Sequence, residues 1–186
     1  MGLMGRQFYI ISDMHLGHGR LTEEGFRPVG FSEKILSNLG MILNPSDILI
    51  NLGDNCFGQE KVWYERLSFI ECKKWLVLGN HDKHSVSWYM DHGWDMVCEG
   101  IRLKMFGRNI LFSHIPVVWD GWYDVNIHGH FHSFGLDRIK KYEPEIHKIL
   151  TQAHYLVNIE SNGYQPMKFQ TIMREWEKNV RRKTCN

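Results

Sequence analysis

Five short motifs place aspartate, asparagine or histidine directly after segments that read as β-strands. In chain order they are Asp13-Met14-His15, Gly53-Asp54, Gly79-Asn80-His81-Asp82, Phe112-Ser113-His114-Ile115-Pro116 and Gly129-His130-Phe131-His132. Each motif alone is common by chance, and an isolated histidine is more often a surface or core residue than a ligand. Their joint occurrence indicates a shared cause. Carboxylate, carboxamide and imidazole groups bind divalent metal ions, so the pattern predicts a metal-dependent active site.

The five motifs resemble those of the calcineurin-like metallophosphoesterases, and the chain is similar to the short, stand-alone bacterial and phage members of that superfamily. The resemblance extends over roughly residues 7–170. It implies a site for two divalent ions with one shared ligand. The implied ligands of the first ion are Asp13, His15 and His132. Those of the second are Asn80, His114 and His130, and Asp54 bridges the two ions.

The resemblance also implies how such a site works. Two cations about 3.5–4 Å apart clamp a phosphoryl group and generate a hydroxide between them. That hydroxide attacks phosphorus, so no covalent enzyme intermediate is required. His81 would protonate the leaving oxygen or stabilise the charge of the transition state, and Asp82 would orient His81.

The ligand types bear on the identity of the metal. Neutral imidazoles favour Mn, Fe, Zn, Ni or Co over Mg or Ca. The motifs contain no thiolate, which disfavours a purely structural zinc site. We expect Mn²⁺ to be the bound metal, with Fe or Zn as the next candidates.

The motifs also favour some substrates over others. Protein serine/threonine phosphatases of the superfamily carry an arginine after the Gly-Asp motif and end the third motif in glutamate. Here Asn55-Cys56-Phe57-Gly58 follows Asp54, and the third motif ends in Asp82. We therefore expect a phosphodiesterase that acts on a small nucleotide or similar diester. The alternatives are a phosphomonoesterase, a nuclease for single-stranded nucleic acid, and a metal-binding scaffold without catalysis.

The loop 17–30 after the first motif offers candidate contacts with substrate. His18 lies three residues after His15, and Arg20 and Arg27 follow it. A guanidinium matches a phosphate in a bidentate manner, although a solvated loop arginine is an equally supported interpretation of both residues.

Two further segments admit more than one interpretation. The side chains of Trp119, Trp122 and Tyr123 form either a wall on which a nucleobase stacks or, as we favour, part of a hydrophobic rim or core. The polar segment 133–151 is a lid, a partner surface or simply a solvated insertion. His128 is expected in the core or behind the ligands.

Hydrophobic patterning predicts the elements that must position these residues. Strands are predicted at Gln7–Ser12, Asp47–Leu52, Trp75–Leu78, Asp95–Cys98, Ile101–Phe106, Ile110–Phe112, Val125–Ile127 and Tyr155–Ile159. Helices are predicted from an N-cap at Ser32 to Leu43, and over Glu60–Ile70, Val86–His92 and Thr171–Arg181, with a hairpin turn at Gly107-Arg108-Asn109. Alternating strands and helices followed by hairpins predict an α/β or α+β sandwich. The resemblance implies two mixed β-sheets packed face to face with helices outside.

Composition limits the remaining possibilities. A chain of 186 residues with 43% hydrophobic residues suits one domain, taken as residues 1–186, with a sizeable core. The net charge of +1 provides no global basic field for nucleic acid, so nucleic acid is possible as a partner but not favoured. Four cysteines without a Cys-x-x-Cys pair argue against a disulfide framework, and residues 1–6 lack the apolar region of a signal peptide. We expect a cytoplasmic protein.

Overall fold

The computed structural model describes residues 6–133 and 136–184. The expectations for the N-terminal residues 1–5, for residues 134–135 of the segment 133–151, and for Cys185 lie outside the described residues. The described strands are β1 (Phe8–Ile11), β2 (Ile48–Asn51), β3 (Lys73–Val77), β4 (Met96–Cys98), β5 (Ile101–Met105), β6 (Arg108–Phe112), β7 (Val125–His128), β8 (His154–Leu156) and β9 (Met167–Lys168). The described helices are α1 (Gly19–Glu23), α2 (Phe31–Ile42), α3 (Glu60–Ser68), α4 (Val86–Asp91), α5 (Leu136–Tyr142), α6 (Pro144–Ile149) and α7 (Phe169–Thr184).

The strands form two mixed sheets. The first has the order β4-β3-β2-β1-β9, in which β1 to β4 are parallel and β9 is antiparallel to β1. The second has the order β5-β6-β7-β8, in which β5 and β6 form an antiparallel hairpin and β6, β7 and β8 are parallel. The parallel strands of each sheet direct their carboxyl ends to one edge, which is where ligands bind in α/β proteins.

Alternate residues of the central strand β1 enter two different cores. Ile10 packs in a cluster with Ile50 of the first sheet and with Phe112 and Ile127 of the second. Its neighbour Ile11 packs in a cluster that contains buried side chains from α2, α3 and α4. Because both faces of β1 are buried, its sequence is continuously apolar. The expected architecture of two mixed sheets packed face to face and flanked by helices is confirmed.

Two local predictions are wrong for identifiable reasons. Ser32 does not cap α2, which begins at Phe31 with Gly30 in the N-cap position, because the Ser32 hydroxyl accepts a hydrogen bond from the Gly17 amide at 3.0 Å. The turn between β5 and β6 consists of Phe106 and Gly107, with φ values of 52° and 75°. Two consecutive left-handed residues match the right-handed twist of a hairpin, which leaves Arg108 and Asn109 within β6.

The segment 136–149 is helical and provides α5 and α6. Within the described residues Cys56, Cys72 and Cys98 are free thiols. No helix in the described part of the chain is long and apolar enough to cross a membrane.

Candidate metal centre

The candidate ligands follow the carboxyl ends of parallel strands in both sheets. Asp13 follows β1, Asp54 follows β2, Asn80 follows β3, His114 follows β6, and His130 follows β7. Five of the seven candidates have left-handed backbone conformations: Asp13 (φ 55°), His15 (45°), Asp54 (56°), His130 (75°) and His132 (49°). Such conformations are uncommon outside glycine and cluster at functional sites, because the surrounding structure must hold them.

Gly129 permits the close approach of β7 to the first motif. A methyl group at this position would lie 1.8 Å from Ser12 Oγ and 2.5 Å from Asp13 Oδ2. These same atoms hydrogen-bond to each other at 2.5 Å, and Asp13 Oδ2 also accepts from the His130 amide at 2.9 Å. The hydrogen bonds therefore use Oδ2 and leave Asp13 Oδ1 for another partner.

We expect Gly129→Ala to lower the melting temperature and to weaken binding of Mn²⁺, because the new methyl group must displace Ser12 and Asp13. A core clash of this kind typically costs about 1–3 kcal/mol. Thermal unfolding and titration with Mn²⁺ measure the two effects. Gly40→Ala is the matched control: its methyl group would lie 3.7 Å from Ile70 Cδ1, in the interior of α2, where alanine is favoured. Equal melting temperatures and equal affinities for Mn²⁺ in the two variants would contradict the role of Gly129.

The first group of candidate ligands consists of Asp13, His15 and His132, whose ligand atoms lie within 4.8 Å of one another. Asp13 Oδ1 is buried, has no hydrogen-bond partner among the described residues, and lies 3.7 Å from His132 Nε2. The rings of His15 and His132 are stacked with centroids 5.0 Å apart. An unpaired carboxylate oxygen beside two imidazoles fits a cation, since the oxygen would otherwise be buried without a partner.

The second group consists of Asn80, His114 and His130. Asn80 Oδ1 lies 2.9 Å from both His114 Nε2 and His130 Nδ1, and these two nitrogens are 3.2 Å apart. His114 Nδ1 donates to the carbonyl oxygen of Leu52 at 2.7 Å, so that a neutral ring has its lone pair on Nε2. An amide oxygen and two imidazole nitrogens thus converge, as the coordination of a metal ion requires.

Asp54 lies between the two groups. Its Oδ2 is 3.6 Å from His15 Nε2 and 3.4 Å from His114 Nε2, while its Oδ1 accepts a hydrogen bond from the His81 amide at 2.8 Å. Asp13, Asp54 and His114 also form a set whose ligand atoms lie within 4.8 Å of one another. One carboxylate oxygen therefore lies close to an imidazole of each group.

The electrostatics of the centre favour a cation. Burial lowers the pKa of His15 to about 2, which keeps its imidazole neutral. Burial alone would lower the pKa of His114, but its hydrogen bond to Asp54 and the charge of Asp13 raise that pKa to about 9. Burial alone would likewise raise the pKa of Asp54, yet the hydrogen bond and charge of His114 hold it well below its usual range. A negative potential that favours a proton on His114 also favours a divalent ion.

Comparisons with known proteins agree with this geometry. The family model described as calcineurin-like phosphoesterase matches residues 6–179. The chain belongs to the calcineurin-like phosphoesterase family. The expected resemblance is thereby confirmed, and family membership indicates a metal-dependent hydrolase of phosphoesters.

Solved structures share the fold of this calcineurin-like phosphoesterase to different extents. A protein of unknown function, AQ665 from Aquifex aeolicus, is 26% identical with a TM-score of 0.73, over 91% of this chain and 99% of that chain. The nuclease MPE of Pseudomonas putida is 22% identical with a TM-score of 0.47, over 67% and 61% of the two chains. An archaeal phosphodiesterase is 18% identical with a TM-score of 0.43, over 69% and 75%. The last two likenesses are too weak to carry an argument about activity. No curated protein matches the chain.

The phosphoesterase orients His132 with a carboxylate that lies outside the five motifs. Glu160 Oε1 lies 3.0 Å from His132 Nδ1, which leaves Nε2 directed toward Asp13. Burial alone would raise the pKa of Glu160, but the hydrogen bond with His132 and the charge of Arg27 lower it to about 2. Carboxylates that hold ligating histidines in this way commonly raise metal affinity.

Arg27, a candidate for binding phosphate, is instead a buried support of the centre. Its side chain is 1% exposed and donates to Glu160 Oε1 at 2.9 Å and to the carbonyl oxygens of Asp13 and Met14 at 2.7 Å each. The guanidinium therefore holds the backbone of the first motif against Glu160. It is not positioned to bind substrate, because burial and these hydrogen bonds occupy it. Arg20 is different: it is exposed and pairs with Glu24 one helical turn away.

Asp82 contacts backbone groups around Asp54. Its carboxylate accepts from the amides of Asp54 and Gly79 at 2.8 Å each and from the amide of Asn55 at 3.2 Å. No hydrogen bond joins it to His81 among those of the described residues, in contrast to the expected orienting contact. Asp82 thus holds the loop after β2 against the loop after β3, which fixes the backbone of Asp54.

His81 and His18 lie at the open side of the first group. The His81 ring is exposed, with its centroid 5.5 Å from that of His15, and the His18 ring lies 5.6 Å from His15. His18 stacks on Phe57 with ring centroids 3.9 Å apart, and Phe57 also meets the edge of His81. Phe57, which sequence reasoning does not distinguish, is therefore an aromatic surface beside the centre.

The aromatic residues after His114 lie elsewhere. Tyr123 is buried and precedes β7, whereas His130 follows that strand, so the two are at opposite ends of β7. The Trp119 indole donates to the Tyr123 carbonyl oxygen at 3.0 Å, and both residues line a cavity of about 430 Å³ with Trp176. Trp119 and Tyr123 therefore do not form a stacking wall at the metal centre. His128 is fully buried behind the ligands, and burial lowers its pKa to about 3.

Proposed function

We propose that this phosphoesterase binds two divalent metal ions, with Mn²⁺ the preferred metal, and hydrolyses a phosphoester by direct attack of water. One ion would be held by Asp13, His15 and His132, and the other by Asn80, His114 and His130. Asp54 would contact both ions. The observation that carries this proposal is the position of Asp54 Oδ2, 3.6 Å from His15 Nε2 and 3.4 Å from His114 Nε2. Bound divalent ions would polarise the phosphoryl oxygens and activate a water molecule.

His81 is the proposed general acid. Its amide is fixed by Asp54 Oδ1 at 2.8 Å, and its exposed ring lies beside His15. The ring can therefore reach the leaving oxygen of a substrate at the centre, or donate a hydrogen bond to the charge that develops there. Asp82 would support this chemistry indirectly by holding the loops of Asp54 and Gly79.

The proposed substrate is a phosphodiester with a small nucleotide-like group. Phe57 is 41% exposed and stacks with His18 immediately beside His81, which suits the π-face of a base or other aromatic leaving group. Arg20 and His18 are the proposed contacts with the remainder of the substrate. These groups favour a substrate with a nucleoside or other aromatic group over an aliphatic ester, and the preference for a diester rests on the third motif ending in Asp82 and on the residues after Asp54.

The substrate test compares diesters with monoesters under Mn²⁺. We expect bis-p-nitrophenyl phosphate to be hydrolysed at least as well as p-nitrophenyl phosphate, and small nucleotide diesters better than long single strands. The net charge of +1 provides little attraction for a polymer. Metal-free protein is the control in each assay. Faster monoester turnover would favour a phosphatase, whereas salt-sensitive cleavage restricted to oligonucleotides would favour a nuclease. Binding of both ions without any turnover would indicate a scaffold.

A further inference from the structure

Glu143 connects the segment 136–149 with the candidate metal centre. It lies between α5 and α6, and its amide donates to the Ile139 carbonyl oxygen at 2.8 Å while its own carbonyl oxygen accepts from the His147 amide at 3.0 Å. The backbone of Glu143 is therefore held by both helices. Its Oε2 lies 2.9 Å from His130 Nε2.

This contact determines which nitrogen of His130 is available for a metal ion. A neutral imidazole that donates from Nε2 to a carboxylate retains its lone pair on Nδ1. His130 Nδ1 is the atom that lies 2.9 Å from Asn80 Oδ1 and 3.2 Å from His114 Nε2. The hydrogen bond to Glu143 thus directs the lone pair of His130 toward the other ligands of the second group.

The two histidines of the Gly-His-Phe-His motif have supports of different kinds. Glu160, which holds His132, has a side chain that is 12% exposed and is fixed by the buried Arg27. Glu143, which holds His130, has a side chain that is 36% exposed and projects from the junction of two short helices. The second group is therefore supported by a separate helical segment, whereas the first is supported by the body of the fold.

We propose that Glu143 is a positioning residue for metal binding at the second group, and that segment 136–149 is thereby part of the metal centre. This inference rests on the proposed two-metal function. It differs from the interpretation of the pair as a surface ion pair, which would contribute little to stability and nothing to metal affinity. Orienting carboxylates of ligating histidines typically contribute about 10–100-fold to metal affinity.

The test is calorimetric titration of the full chain with Mn²⁺, comparing wild type with Glu143→Ala, Glu143→Gln and Glu145→Ala. We expect Glu143→Ala to weaken one of two Mn²⁺ sites by about 10–100-fold and to leave the other unchanged. Glu143→Gln is expected to lose less affinity, because the amide oxygen still accepts from His130. Glu145 lies on the same segment and pairs with Lys148, so Glu145→Ala should bind Mn²⁺ as wild type does.

The outcomes separate this inference from the proposed function. If wild type binds two Mn²⁺ ions and Glu143→Ala binds both with unchanged affinity, the positioning role is contradicted while the two-metal centre stands. A lower melting temperature with unchanged affinity would also contradict it, because it would show a structural role alone. If wild type binds no Mn²⁺, both proposals fail. Should Glu143→Ala fold poorly, Glu143→Gln decides the question, because it preserves size and shape but removes the charge: one weakened Mn²⁺ site at an unchanged melting temperature supports the positioning role, and wild-type affinity at both sites contradicts it.

Discussion

Replacing Asp54 by asparagine is expected to abolish tight binding of divalent ions and to reduce phosphoester hydrolysis by more than about 100-fold, the upper end of the loss seen for residues that merely orient ligands. Asp54 is 2% exposed and lies between an imidazole of each candidate group. The asparagine keeps the hydrogen bond from the His81 amide but removes the charge that both ions would share. A change at one residue should therefore weaken both metal sites at once.

The measurement is the number of Mn²⁺ ions retained per chain after gel filtration, followed by turnover of a diester at increasing Mn²⁺ concentration. Asp120→Asn is the control, because Asp120 is a surface partner of Arg102. It should retain the metal content and activity of wild type. Loss of a single ion in the Asp54→Asn variant, with the other bound normally, would show that Asp54 does not bridge the two groups.

The second large effect is expected from His81→Ala. General acid catalysis contributes about 10²–10⁴-fold to rates, so turnover of an alkyl or nucleoside ester should fall within this range. The loss should be much smaller for a nitrophenyl ester, whose leaving group needs little protonation. Metal content should stay near that of wild type, since the hydrogen bond from His81 to Asp54 comes from the backbone amide and is kept in this variant.

His84→Ala is the matched control for this variant. His84 pairs with Glu60 and stacks on Trp88 with ring centroids 3.8 Å apart, so its ring is engaged outside the metal centre. Turnover of both classes of ester should be retained in this variant. Equal losses for alkyl and nitrophenyl esters in His81→Ala would contradict the acid role and favour stabilisation of transition-state charge. A large loss of bound Mn²⁺ would instead make His81 part of the metal site.

Hydrophobic patterning predicted an α/β or α+β sandwich, whereas the two-sheet architecture and the candidate ligands were implied by the family resemblance of the motifs. Apolar runs such as residues 48–50 of β2 are buried on both faces, and such runs predict central strands directly. Parallel strands then bring the residues at their carboxyl ends together, so that Asp13 and Asp54 meet although they are distant in the chain. The resemblance of the five motifs therefore provided most of the prediction, and the geometry of parallel sheets explains why these residues meet.

The supports of the centre could not be predicted in the same way. Arg27 and Glu160 are separated by 133 residues, and nothing in the loop 17–30 indicates that this arginine is buried. The position of Glu143 depends on how α5 and α6 are placed beside His130, and its sequence context is that of a solvated glutamate. Such contacts arise from tertiary packing and overcome local preference, as the hydrogen bond from the Gly17 amide to Ser32 also shows.

The most direct test of the two-metal centre is a crystal structure of the protein grown with Mn²⁺, with anomalous differences measured at the manganese absorption edge. Two anomalous peaks are expected. One should lie among Asp13, His15 and His132, the other among Asn80, His114 and His130, with Asp54 contacting both. A single peak, or peaks that do not contact Asp54, would contradict the proposal that this phosphoesterase works with two metal ions that share one carboxylate.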